Sequence, residues 1–230
     1  LHPRDEFGDY DFETPQALDL DLINAHLAAL LAGETVEMPR YDFMTGRRVE
    51  RAARLSLERD DILIIDSLHG LYRQMTESVP AECRFDLYVE TLLQMKDTAG
   101  AFVRWTDLRL MRRMVRDAGQ RASNPQQTLE HWHYVRSSEL RNIVPFISQA
   151  DFVVNSALPY EIAVMRPRLL SLCEEWARRY EGDPLRADAG IRAARLRALL
   201  ASVEPADDDA AIPPHSLLRE FIGGSAYTYS

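Results

Sequence analysis

The stretch Asp60-Asp61-Ile62-Leu63-Ile64-Ile65-Asp66-Ser67-Leu68-His69-Gly70-Leu71 decides how the rest of the chain is read. Four consecutive apolar residues, three of them β-branched, run between acidic ones. That composition predicts a strand covered on both faces rather than an alternating surface strand. Such strands sit centrally in α/β sheets, whose ligand crevice lies at the carboxyl ends of the strands. Asp66 stands at that end, followed by small Ser67, where it can meet a metal or a substrate. The plainer role for an isolated aspartate at this point is to start a turn.

Working outward, Val36 to Phe43 and Arg47 to Leu57 flank Met44-Thr45-Gly46, which predicts a β-hairpin with Pro39 on an edge strand. Before it, Thr14-Pro15 offers an N-cap and a first-turn proline. Leu20, Ile23, Leu27, Leu30 and Leu31 then repeat at helical spacing until Gly33. Residues 1–13 read as a polar surface loop. The chain opens at Leu1 inside that loop, so we expect the protein to extend further at its amino end.

On the other side, Phe85 to Glu90 predicts a second sheet strand and Thr106 to Gln120 a helix whose buried stripe is Leu108, Met111, Met114 and Val115. Its opposite face gathers Arg104, Arg109, Arg112, Arg113, Arg116 and Arg121. A helix runs from Pro125 to about Ile147, and Asp151 to Asn155 reads as a short buried strand. Helices follow over Tyr160 to Tyr180 and Leu185 to Val203. The acidic, proline-containing stretch from Glu204 to Pro214 is expected to be mobile. The apolar, diglycine-bearing tail Ser216 to Ser225 is expected to dock back by simple packing.

At 230 residues and 46% hydrophobic content the chain can bury a sizeable core. No apolar run approaches a bilayer span and nothing resembles a signal peptide, so a cytoplasmic protein is expected. Cys83 and Cys173 form no framework. The net charge of -9 argues against a wholesale nucleic-acid or membrane-surface binder and leaves room for a local basic site. His131 and His133, two apart on a helix, point in different directions and do not make a metal pair.

In order along the chain stand Asp11-Phe12-Glu13-Thr14-Pro15-Gln16-Ala17-Leu18-Asp19, Pro39-Arg40-Tyr41-Asp42-Phe43, the strand ending in Asp66, the segment Arg109 to Arg121, and Ala150-Asp151-Phe152-Val153-Val154. This series resembles the uridine kinase branch of the phosphoribulokinase and uridine kinase family over roughly Phe7 to Pro159. The tail Arg219 to Ser225 resembles the ending of longer bacterial nucleoside-kinase-like members. The resemblance implies an α/β fold with a P-loop-kinase-like parallel sheet, an acceptor-site β-hairpin, a helical lid and a helical C-terminal extension. The corresponding division is a uridine kinase-like domain over 1–168 and an extension over 169–230. It further implies ATP and Mg2+ and a nucleoside or similar ribosyl substrate; self-association stays open.

The departure is that the family's opening strand and its Gly-x-x-x-x-Gly-Lys-Ser/Thr loop are missing from this sequence. That loop cradles the donor phosphates. Carried over by position, the resemblance implies that Glu13 binds the ribose hydroxyls, and that Tyr41 and Phe43 hold the nucleobase. Asp66 then belongs to the magnesium shell through water, Asp-Ser replacing the usual Glu-Gly. Arg113, Arg116 and Arg121 approach the acceptor and the transferring phosphates, Arg116 and Arg121 with Asp66 forming the catalytic set. His131 replaces a glutamine in the acceptor site, Ser123 a lid arginine, and Gly46 the histidine that reads a pyrimidine. Against this kinase reading stand a nucleotide-sensing pseudokinase without turnover and, further off, an RNA-associated module using the Arg104 to Arg121 face.

Overall fold

The computed structural model describes residues 3–4, 11, 13–42, 46–97, 99–120, 124–206 and 208–227. The chain divides into two compact units, one of Leu1–Tyr88 with Ser137–Val153, the other of Val89–Arg136 with Val154–Ser230.

In the first unit, a 3₁₀ turn at Pro15–Ala17 precedes helix α1 (Leu20–Leu31). The helix starts later than Thr14-Pro15 predicts because Asp19 is the working cap: its carboxylate accepts the Leu22 N–H at 3.1 Å, whereas Thr14 makes no side-chain cap bond. Gly33, at φ 80°, ends the helix as expected. Strands β1 (Val36–Asp42) and β2 (Arg47–Leu55) form the antiparallel hairpin. Its register slips between Met38 and Arg40, opposite a stretch containing Arg51 at φ 53°. Pro39 has no N–H to give to a ladder, and a bulge at the proline is the local solution.

The predicted central strand is not a strand. Residues 61–67 run as irregular chain, with Ile62 86% and Ile64 85% exposed. A buried strand needs a neighbour to complete its hydrogen-bond ladder, and among the described residues none pairs with this segment. Aliphatic composition marks a segment fit for a sheet interior; it does not supply the partner.

Strand β3 (Leu87–Glu90), helix α2 (Trp105–Gln120), helix α3 (Pro125–Asn142) and strand β4 (Phe152–Asn155) follow. The two strands pair, and the chain passes from one unit to the other along them. Asp151 and Phe152 N–H groups donate to the Asp86 carbonyl, and Ser156 N–H to that of Glu90, so the register advances in the same direction on both strands, as a small parallel sheet requires. The expected burial of β4 is not met: Phe152 and Val153, which point to opposite faces of the strand, are both exposed. Helix α3 stops at Asn142, short of Ile147, and a 3₁₀ segment over Val144–Gln149 takes up the chain at Pro145.

The core of the second unit joins α2, helix α4 (Glu161–Arg179), helix α5 (Ala187–Ala201) and the short helix α6 (Arg219–Ile222). Leu108, Met111, Met114, Met165, Leu169, Trp176, Leu196, Leu200 and Leu218 are all but inaccessible. Their three- and four-residue spacing along each helix makes the apolar stripe. The tail docks as expected, Leu218 and Phe221 filling this core. The stretch after Val203, expected to be mobile, is tied down. Pro167 within α4 cannot donate to the Ala163 carbonyl, and that carbonyl instead accepts the Ala206 N–H at 3.0 Å. Arg168 pairs with Asp209, and Arg219 donates to the carbonyls of Asp209 and Ile212, each at 2.7 Å. Acidic composition suggested a solvated linker; guanidinium partners on α4 and α6 fix it instead.

Candidate functional site

The predicted site residues fall into two groups, one in each unit. In the first unit, Glu13 occupies a turn ahead of Pro15. Its N–H donates to Asp11 Oδ1 at 3.1 Å, and its carbonyl accepts from Ser138 Oγ at 2.8 Å and Asn142 Nδ2 at 3.4 Å on α3. The main chain is therefore anchored from several directions, while the half-buried carboxylate makes no hydrogen bond or ion pair among the described residues. A carboxylate held on a fixed backbone with its lone pairs open can accept two hydroxyl donors.

Tyr41 lies near the end of β1 opposite Arg48 and is 38% exposed. Beside it, Gly46 takes φ 64° and donates its N–H to the Asp42 carbonyl at 2.8 Å, closing the hairpin. A Cβ there would stand 3.8 Å from the Tyr41 hydroxyl, so the obstacle to a side chain is the left-handed backbone rather than space. Phe43 and Arg121 lie outside the described residues. Asp66 is exposed at the end of the irregular segment and makes no hydrogen bond or ion pair among the described residues. The strand end on which it was placed does not exist here. Directly after it, residues 67–70 form a turn, His69 N–H meeting Ser67 Oγ at 3.2 Å and Gly70 N–H the Ser67 carbonyl at 3.2 Å.

In the second unit, Arg113 and His131 line one polar cavity of about 200 Å³ with Asp117, Asn124, Gln127 and Thr128. Asp117 is buried and accepts from Thr128 Oγ1 at 2.8 Å. Arg113 Nε stands 3.8 Å and Arg116 Nε 4.0 Å from its two oxygens, and Arg116 Nη1 is 3.8 Å from Glu220 Oε1. These are long, partly solvated pairs. A phosphate would compete with Asp117 for both guanidiniums, and a bidentate phosphate contact is shorter and stronger than either. A larger cavity, about 550 Å³ beside Tyr180, Pro184, Gly190 and Ile191, holds none of the predicted residues.

The basic face of α2 needs one correction. Arg112 is not on it. It is buried and grips fully buried Glu161 with Nε to Oε2 at 2.6 Å and Nη2 to Oε1 at 2.5 Å, and it also donates to Ser156. The signal was available: Arg112 follows Leu108 by four and precedes Val115 by three, inside the apolar stripe rather than opposite it. Asp107 is a second buried acid on this helix, held by Arg195 through two bonds of 2.7 Å.

Sequence reasoning also gave no role to His69, whose residue is 5% exposed and whose two ring nitrogens have no hydrogen-bond partner among the described residues. Burial pushes its pKa down, against the Glu13 carbonyl and the Asp11 carboxylate, both of which favour the protonated ring. Among the described residues no three His, Cys, Asp or Glu side chains come together as a metal cage. Among the described residues no helix is long and apolar enough to cross a membrane.

The chain is an α/β protein: one unit carries a hairpin with an exposed aromatic, and the other a helix whose Arg113 lines a polar cavity. Residues 3–163 match the Phosphoribulokinase / Uridine kinase family, and the chain belongs to that family. It is similar to a uridine kinase of Halobacterium salinarum, 27% identical over 153 residues, covering 66% of this chain and 60% of that protein. A uridine kinase of Chloroflexus aurantiacus is 28% identical over 152 residues, covering 66% and 64%. One of Bacillus pumilus is 27% identical over 155 residues, covering 67% and 65%. The chain thus spans somewhat less than two thirds of the length of these relatives. The family and these relatives are kinases.

Proposed function

We propose that this chain carries the acceptor half of a nucleoside kinase, binding a nucleoside or similar ribosyl alcohol whose 5′-hydroxyl receives the γ-phosphoryl of ATP with Mg2+. The observation that carries the reading is the family match over residues 3–163, which takes in the hairpin, Glu13 and the arginine-bearing helix together. In this reading the Glu13 carboxylate accepts the ribose hydroxyls, Tyr41 and Phe43 hold the base, and His131 takes part in acceptor binding. Arg113, Arg116 and Arg121 neutralise charge on the phosphates, the fixed guanidinium donors contributing most where negative charge spreads in the transition state.

Asp66 offers one exposed carboxylate, which would hold a magnesium ion through water, and the ion would supply positive charge to the phosphates. The donor triphosphate has no matching cradle among these 230 residues, since no Gly-x-x-x-x-Gly-Lys-Ser/Thr motif occurs in them. The chain's own share of the chemistry is to bind and orient the acceptor and to supply positive charge. The same feature favours a second reading, nucleoside binding without turnover by this chain. The buried Arg112–Glu161 pair weighs against an RNA-binding face. The division at residue 168 and a cytoplasmic location belong to the proposal, the first supported by a family match that ends at 163.

Calorimetric titration of the chain with uridine, adenosine and ATP·Mg tests it. We expect heat of binding with a nucleoside and little with ATP·Mg. Silence with every nucleoside rejects the acceptor-site reading, and turnover of ATP with uridine rejects the reading without catalysis.

A further inference from the structure

We propose that His69 is the positioning residue for Glu13, its ring holding the Glu13 main chain so that the carboxylate is aimed at the ribose. The inference rests on the reading of Glu13 as the ribose ligand. A buried imidazole with both nitrogens unpartnered is unusual, because a desolvated polar group without a hydrogen bond is destabilising and is found where it has a task. The Glu13 carbonyl lies close enough to favour a proton on this ring. That carbonyl has two lone pairs; Ser138 takes one at 2.8 Å, and Asn142 approaches only to 3.4 Å. The remaining lone pair is the one a His69 ring N–H would take.

The ring is carried on a segment already fixed. His69 N–H meets Ser67 Oγ at 3.2 Å, its carbonyl accepts the Tyr72 N–H at 2.8 Å, and Tyr72 packs edge-on against Phe146 with centroids 5.6 Å apart. A second tie joins the same two segments, Gln16 Nε2 reaching the Tyr72 hydroxyl at 3.4 Å. His69 also follows Asp66 by three residues, so one turn joins it to the second proposed carboxylate of this unit. Burial keeps the ring neutral near pH 7, leaving one N–H to donate to the carbonyl.

The test is a double-mutant cycle on the 230-residue chain, reading uridine and 2′-deoxyuridine affinity by calorimetry. Glu13→Ala should weaken uridine binding and narrow the preference for the ribo form. His69→Leu should weaken it about 2- to 10-fold, the worth of one hydrogen bond, and should add nothing in the Glu13→Ala background. His69→Gln, which keeps a donor, should restore most of the affinity. Amide exchange over residues 13–18 should quicken in His69→Leu and not in His69→Gln, a readout that needs no ligand. If Glu13→Ala changes nothing, the ribose reading fails, and the positioning role with it. If Glu13→Ala weakens binding while His69→Leu does not, or the two losses multiply, the ribose reading stands and the His69 role is overturned. Should His69→Leu fail to fold, His69→Ala takes its place in the cycle, and unchanged exchange over 13–18 in it counts against the proposal.

Discussion

Replacing Arg112 by leucine separates a structural guanidinium from a phosphate-binding one. Glu161 is completely inaccessible, and Arg112 satisfies both of its oxygens at 2.5 and 2.6 Å while donating to the Ser156 carbonyl at 2.6 Å and its hydroxyl at 3.2 Å. The guanidinium also lies over the Phe221 ring, 5.0 Å from its centroid. Arg112→Leu leaves Glu161 with the Leu158 N–H, at 2.6 Å, among these bonds. Removing one partner of a buried pair costs about 3–5 kcal/mol. At about 2–4 °C per kcal/mol for a chain of this size, Tm should fall by about 6–20 °C. The double variant Arg112→Met with Glu161→Leu should recover most of the loss, since neither charge then needs burial. Melts of the wild type and the two variants at pH 7 provide the assay. A Tm change under about 2 °C for Arg112→Leu, or a loss of phosphate binding at unchanged stability, refutes the reasoning.

Asp19→Ala should cost about 1 kcal/mol in urea denaturation, the worth of an N-cap. The Leu22 N–H, then Arg48, hold this carboxyl below the usual range, so its contribution is present above the unfolded value and lost as pH falls through the folded one; wild type and variant should converge in acid. Ile64→Ser should change stability by less than about 0.5 kcal/mol, as for an exposed residue, whereas a buried central strand would lose well over that. Cys83 is exposed, and Cys173 is buried with its thiol pushed up to about 12 by desolvation, so a disulfide reagent at pH 8 should titrate one fast thiol in the native chain and two after denaturation.

Local signals were legible where a residue's own chemistry settles the outcome. Pro39 marked an edge and sits at a bulge, Gly33 ends its helix, and the 3.6-residue spacing of α2 located its buried side. What could not be read depended on partners far along the chain. The segment from Ile62 to Ile65 has a strand's composition and no paired neighbour, and the acidic stretch near Asp209 found arginines on two helices. Arg112 was misread because charge was counted by composition rather than by its place on the helical wheel. Of the candidate site, Glu13 and Tyr41 were named from family resemblance and Asp66 first from its place at the expected strand end, whereas the bonds holding the Glu13 backbone come from α3, more than a hundred residues on, at spacings no local pattern encodes.

The claim that this chain grips a nucleoside with its hairpin is tested most directly by photocrosslinking with 5-iodouridine followed by tryptic mapping. Cleavage after Arg40 and Arg47 isolates peptide 41–47, which carries Tyr41 and Phe43. The account predicts that the label falls on this peptide and is competed away by unlabelled uridine. Label spread over other peptides, or uptake indifferent to uridine, contradicts it.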